Sequence, residues 1–324
     1  MTRRSLLLLV AGLVVASLAA IAIGAVTISL GDVWRALTGS GDPAAMAIVR
    51  GVRLPRVALA IVVGAALGMS GSVLQGTLHN PLAEPYLLGI SGGAAVGSVI
   101  AVVSGAASVP VISLAAFAGA IVAVALVLAV ARAAVGRADP RVLLMAGVVV
   151  GAFANAAILL LLANASADAV RGALWWMMGS VASANWSQVR WLGAALVVVG
   201  LPLLHWAREI DALALGHDAA AALGVRPEEA SRRLYLTASL LAASTVAVAG
   251  LVGFVGLIVP HLARALAGTR HRRILVAAAL AGATLVVLAD LLARTVREPA
   301  ELPLGAVTAV LGVPFFLSLL RKAS

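Results

Sequence analysis

Cysteine is absent from all 324 residues. That excludes disulfides, thiolate zinc sites and cysteine-held iron–sulfur clusters, and it leaves the redox compartment unread. Lysine occurs once, at Lys322, directly after Arg321. The phosphate-cradling pattern G-x-x-x-x-G-K-[ST] therefore cannot form, and the chain is not expected to hydrolyse nucleotide itself. Charge of either sign is scarce. Asp, Glu, Lys and Arg together make 11% of the residues, less than half the roughly 25% of a soluble domain. No cluster of nucleophile, base or metal ligands lies within the apolar stretches, which argues against a membrane enzyme.

The apolar side is correspondingly heavy. Hydrophobic residues make 63% of the chain and the mean hydropathy is +1.11, more apolar surface than a soluble fold can hide. A hydrocarbon core of about 30 Å takes roughly 20 apolar residues per helical span. Runs of that order recur at residues 5–28, 57–78, 90–103, 111–131, 142–162, 191–204, 234–251, 254–266, 274–292 and 304–320. The expected fold is all-α, a polytopic membrane protein of about ten transmembrane helices, with residues 1–324 forming a single transmembrane domain. The short runs opening at Ile90, Trp191 and Phe254 are read as misjudged at their ends, as buried, or as partly re-entrant, the last allowed only where protein covers the backbone. Met1-Thr-Arg-Arg ahead of an apolar run has marks of a secretory signal, but the run continues to Ile28, too long for a signal core, and is read as the first span.

The formal net charge of +10 is read as topology rather than as affinity for nucleic acid. With the N terminus inside and ten spans, fifteen of the 23 Lys and Arg residues fall on the inner side. By the positive-inside rule that asymmetry places both termini in the cytoplasm.

Within the spans, Gly64 and Gly68, Gly93 and Gly97, and Gly147 and Gly151 are each four apart. Each pair clears one helix face for a neighbouring backbone; the alternative is lining of a pathway. The cluster Gly89-Ile-Ser-Gly-Gly-Ala-Ala-Val-Gly97 is denser than packing requires, and is expected to form a helix start facing a cavity. A charge at mid-bilayer costs about 2.5–3.5 kcal/mol on insertion scales, and Asp290 is the exception to its avoidance. It precedes Arg294 by four residues, so the two can pair on a helix, with Arg294 snorkelling to water. The lack of midplane carboxylates counts against an ion-coupled secondary transporter, although sodium sites can use backbone carbonyls.

The loops are more specific. Inner loop 207–233 reads as two short helices followed by the start of a third. Gly216 and Gly224 suit helix C-terminal glycines, Asp218 an N-cap, and Pro227 with Glu228 and Glu229 a first turn. Such order fits either an interfacial connector or a docking element for a cytosolic partner. On the outer side, Arg50-Gly-Val-Arg53-Leu-Pro-Arg56 places basic residues where the positive-inside rule thins them out. A bare Arg cluster is most often a solvated anchor; on this side of the membrane it also asks for an acidic partner. His79 and His261 each stand alone beside a Pro-bearing turn and are read as structural rather than as metal or haem ligands.

Arg53-Leu-Pro-Arg56, Gly64-Ala-Ala-Leu-Gly68, Gln75-Gly-Thr-Leu-His-Asn80-Pro-Leu-Ala-Glu-Pro85, Leu88-Gly-Ile-Ser-Gly-Gly93, Phe254-Val-Gly-Leu-Ile-Val-Pro260-His-Leu-Ala-Arg264 and Glu301-Leu-Pro-Leu-Gly305 resemble the permease subunits of type II ABC importers for siderophores, haem and cobalamin, the FecCD-like family. The resemblance runs from about Arg53 to Gly312. It implies a homodimer around a central pathway, two cytosolic ATPase subunits below that would carry ATP and Mg, and one periplasmic substrate-binding protein above. It implies no cofactor and no metal bound by this chain. Arg53, Arg56 and Arg294 look like the arginines that receive acidic residues of the binding protein. Loop 207–233 looks like the coupling helices seated in the ATPase, with Leu213, Leu215, Gly216, Asp218, Leu223, Gly224 and Val225 as the coupling residues. Asn80 and Leu82 look like residues that close the pathway on the cytoplasmic side. The implied function is inward transport of a bulky metal chelate, ferric siderophore or haem, across a bacterial inner membrane, with cobalamin as the alternative cargo.

Overall fold

In lipid every backbone N–H and C=O must be paired within its own segment, so long apolar runs fold as helices. The computed structural model describes residues 2–24, 26–106, 108–135 and 140–323, and among these it is all-helical, without strands. Helix α1 (Arg3–Ala22) starts at Thr2, whose hydroxyl accepts the Ser5 N–H at 3.1 Å. The link to the second span is itself ordered. Helix α2 (Leu30–Thr38) is capped by Ser29 and ends at Gly39 in the left-handed region, φ 86°. The Ser29 hydroxyl and the Arg35 guanidinium hold the Asp32 carboxyl below its usual range. Helix α3 (Pro43–Met46) then passes through a π-helical stretch, Ala47–Arg53, into α4 (Leu54–Thr77).

The remaining helices are α5 (Ile90–Val103), α6 (Val109–Val135), α7 (Pro140–Ala163), α8 (Ala167–Met177), α9 (Trp186–His205), α10 (Ala207–Leu213), α11 (His217–Ala222), α12 (Pro227–Ala249), α13 (Val255–Ala267), α14 (His271–Thr295) and α15 (Leu304–Ala323). Each of the ten expected runs has its helix. Of the three short runs, the one at Trp191 has its start earlier than hydropathy places it, and the helix is neither short nor re-entrant. Asn185 and Gln188 form a capping box that starts α9 at Trp186 and gives it 20 residues, enough for a full span. By contrast α5 and α13 stay short, with 14 and 13 residues. At 1.5 Å per residue they reach about 20 Å, two thirds of a hydrocarbon core.

Helix α4 is the axis, buried along almost its whole length. Its glycines allow that. A Cβ on Gly64 would overlap the Gly282 carbonyl of α14, and one on Gly68 would overlap that of Ala278. In the same way Gly93 and Gly97 of α5 lie against Gly119 and Ala115 of α6. These two pairs are packing seams. The third pair behaves differently: Gly151 faces open space, and with Gly147 it borders a cavity of about 370 Å³. Outward faces are apolar, as on α7, where Val148, Val149, Phe153, Leu159 and Leu160 are all exposed.

Candidate functional site

The centre of the bundle is where the two short helices begin. Gly89, at φ 81°, caps α5; a Cβ there would stand 3.2 Å from Val150, midway along α7. Phe254, at φ 66°, caps α13, and its ring lies over Gly312, midway along α15. Both helix starts therefore lie inside the bundle rather than at its ends. The α5 start does face a cavity, bordered by Tyr86, Ser91, Gly92, Asn155 and Leu251. Around the break after α12 the chain pairs with itself. Ser180 N–H donates to Ala249 O at 2.8 Å, Leu304 N–H to Gly179 O at 3.1 Å, and Gly305 N–H to Met178 O at 3.0 Å. This junction explains Glu301-Leu-Pro-Leu-Gly305: a Cβ on Gly305 would overlap the Leu251 carbonyl.

At the end expected to face outward, the structure brings Arg53, Arg56 and Arg294 together but does not leave them in water. Arg53 donates to the carbonyls of Ile21 at 2.5 Å and Ala22 at 2.8 Å, and also to Val26, capping the C-terminal end of α1. Arg56 is bidentate twice. It holds Asp290 at 2.8–3.0 Å and Glu301 at 2.7 and 2.9 Å. Arg294 lies 3.8 Å from Asp290 and donates to the Ala20 carbonyl. All three arginines are 8% exposed or less. The pairing of Asp290 with Arg294 is as expected from spacing, but snorkelling is not: Arg294 is turned inward by α1. The acidic partner that the cluster asks for is supplied within the chain by Asp290 and Glu301. The arginines still border a cleft of about 290 Å³, with Gly24, Val26 and Glu301 across it.

At the opposite end, loop 207–233 forms the two short helices expected. Gly224 is left-handed at φ 80° just past α11, and Pro227 with Glu228 and Glu229 opens α12. Two details differ. The N-cap of α11 is Gly216, at φ 102° and ψ 160°, so Asp218 falls in the first turn, where its carboxylate still meets the positive helix end. Leu213 is fully buried and Val225 packs against the core, whereas Leu215 and Leu223 are 68% and 64% exposed. Helix α10 is held from three sides. Asp211 accepts both the backbone N–H of His271 at 2.8 Å and its Nδ1–H at 2.7 Å. Arg233 of α12 pairs with Glu209 and lies 4.3 Å above the Trp206 ring. His79 donates from Nε2 to the Leu213 carbonyl.

That last contact joins α10 to the segment of Asn80 and Leu82. Asn80 Oδ1 accepts the Leu82 N–H at 2.9 Å, folding 80–83 into a tight turn that leaves Leu82 exposed. His261 is confined to its own helix, bonding Leu257 O at 3.1 Å. Sequence reasoning missed the ties made by Asp211, His271 and Glu301, and it assigned no role to Glu84 or Tyr86. Only Glu84 and Glu301 carried a signal, as members of motifs already singled out.

Broken helices that start inside a bilayer-sized bundle, beside a cavity, define a multi-pass transport protein. The chain belongs to the FecCD transport family, whose model matches residues 12–322. It is 38% identical to the hemin transport system permease protein of Yersinia pestis, over 96% of this chain and 93% of that one. It is 42% identical to the cobalamin import system permease protein of Halobacterium salinarum, over 86% and 74%, and 40% identical to an uncharacterized ABC transporter permease protein of Bacillus subtilis, over 88% and 81%. A solved structure described as a metal-chelate type ABC transporter in an inward-facing conformation superposes with a TM-score of 0.89 at 30% identity, over 99% of this chain and 100% of that one. The expected resemblance to ABC importer permeases therefore holds, and the chain is a transport permease of that family.

Proposed function

We propose that this chain is the permease subunit of an ATP-driven importer, moving a bulky metal chelate, a ferric siderophore or haem, from periplasm to cytoplasm across a bacterial inner membrane. The observation that carries the reading is the α10–α11 pair. It is anchored to α12, α14 and the gate turn, yet it turns Leu215, Asp218 and Leu223 outward. A connector needs no such anchoring; a lever does. With no P-loop possible in this chain, ATP and Mg would sit on separate cytosolic ATPase subunits that grip this pair. Leu213, Gly216, Gly224 and Val225 would set its shape from within.

A second copy of the chain would complete the pathway, since the apolar face of α7 and the cavity at Gly151 are open. Asn80 and Leu82 would close it on the cytoplasmic side, where both termini would also lie. On the outer side an acidic lobe of a substrate-binding protein would dock over Arg53, Arg56 and Arg294 by exchanging with Glu301, the only one of their carboxylate partners among the described residues that is substantially exposed, at 41%. The Halobacterium relative favours one alternative cargo, cobalamin, in the same role.

Mass spectrometry of what co-purifies from the native membrane in mild detergent tests this. Recovery of a P-loop ATPase near one-to-one, followed by ATP-dependent uptake of hemin, a ferric siderophore or cyanocobalamin in proteoliposomes, supports the reading. Reproducible recovery of the chain alone, with ion-driven uptake, overturns it.

A further inference from the structure

The segment Glu84-Pro85-Tyr86 follows the gate turn and reaches into the break between α12 and α13. Glu84, only 9% exposed, accepts the Phe254 N–H on Oε1 at 2.6 Å. The Tyr86 hydroxyl accepts the Val252 N–H at 2.9 Å. Pro85 covers Gly256, where a Cβ would come within 2.8 Å of its Cδ. Both amides lie in the unwound stretch before α13, so no helical carbonyl serves them, and losing a side-chain partner would bury them unpaired. Phe254 is held in the left-handed region, costly for a bulky residue and stable only while its surroundings enforce it. Its ring abuts Gly312, where a Cβ would come within 2.7 Å.

We infer that Glu84 is a positioning residue for translocation: it clasps the gate turn to the α12–α13 break, so that Asn80 and Leu82 move with α13 and, through Phe254 on Gly312, with α15. The clasp rests on the permease reading. A carboxylate at the start of a helix also faces its positive end, so part of the hold is charge and part is the hydrogen bond. Glu84→Gln keeps an acceptor of the same shape, whereas Glu84→Ala removes it.

Because the chain has no cysteine, Leu82→Cys and Leu262→Cys carry spin labels without background. Pulsed electron resonance on the full chain in nanodiscs then reads the distance across the clasp. A narrow distribution is expected with Glu84 and with Glu84→Gln, and a broad or split one with Glu84→Ala. In proteoliposomes of the complex with its co-purified ATPase, hemin, ferric citrate and cyanocobalamin serve as probes. Uptake per ATP hydrolysed should fall about tenfold in Glu84→Ala, the scale of one lost buried hydrogen bond, and by no more than about threefold in Glu84→Gln, which loses only the charge assistance. An unchanged distance and unchanged uptake per ATP in Glu84→Ala overturn the clasp, as does equal impairment of both variants with narrow distances. Uptake of the probes that is driven by an ion gradient and needs no ATP overturns the importer reading instead, and the distance measurement still decides the clasp.

Discussion

Replacing Arg56 with alanine strands a buried carboxylate. Asp290, 2% exposed, takes three hydrogen bonds from the Arg56 guanidinium at 2.8–3.0 Å. Its other cation does not compensate. Arg294 Nε stands 3.8 Å away, and among the described residues it is a buried donor with no hydrogen-bond partner. Removing one member of a buried ion pair costs about 3–5 kcal/mol, because the charge left behind keeps its desolvation penalty. Glu301 sets the comparison. Its side chain is 41% exposed, so water can replace the guanidinium and Glu301→Ala should cost about 1 kcal/mol or less. Replacing Arg56 and Asp290 together, as Arg56→Met with Asp290→Leu, should recover part of the loss, since well-packed apolar replacements of buried pairs are often neutral, but not all of it, because buried Arg294 loses the carboxylate 3.8 Å away. Unfolding of the purified chain in detergent, followed by tryptophan fluorescence, ranks the variants. If Arg56→Ala is no less stable than Glu301→Ala, or if the double variant is no better than Arg56→Ala, the network does not hold α4 to α14 as described.

Glu301→Gln should tighten binding-protein docking severalfold in a surface-plasmon assay, by weakening the internal competitor for Arg56; unchanged or weaker docking would refute the exchange. Leu215→Asp with Leu223→Asp should abolish recovery of the ATPase on affinity purification while leaving the chain folded, since both side chains are exposed; undiminished recovery would move the ATPase contact elsewhere. Gly64→Leu should unfold the chain or sharply reduce its yield, because the new side chain meets the Gly282 backbone and forced core overpacking costs about 1–3 kcal/mol or more. Wild-type yield and melting would show that α4 and α14 do not meet there.

The ten apolar helices were legible because hydrocarbon selects on a property that a linear sequence displays directly, apolarity along a segment. The helical pair at 207–233 was legible for a related reason: Gly224, Pro227, Glu228 and Glu229 act within one turn of where they stand. Burial of the arginines was not. The partners of Arg56 lie 234 and 245 residues away, at Asp290 and Glu301, and no local rule pairs groups at that separation. The start of α9 was misplaced because Asn185-Trp-Ser-Gln188 works as a capping box, while the reading followed hydropathy alone. Gly147 and Gly151 show the limit of spacing arguments. The same four-residue interval that makes a packing seam at Gly64 and Gly68 borders a cavity here, and only the identity of the facing helix separates the two.

His79 gives the proposed coupling path its sharpest test. It is the second residue after α4, left-handed at φ 50°, and its ring reaches the Leu213 carbonyl at the end of α10. A carbonyl only accepts, so Nε2 carries the proton. The next residue is Asn80. Any displacement of α10 by an ATPase would thus reach the gate turn through one side chain, while Asp211 on the same helix passes it to α14 through His271. Helix α10 can sit this close because Gly76 has no side chain: a Cβ there would come within 2.6 Å of His271 and 2.7 Å of Ile210. The His79 ring is exposed, so His79→Leu should change stability by no more than about 1 kcal/mol. Uptake of hemin per ATP hydrolysed should nevertheless fall, and His79→Gln, which keeps a donor, should restore much of it. Transport and ATP hydrolysis that stay locked together in His79→Leu would mean that the force travels through His271 and α14 alone.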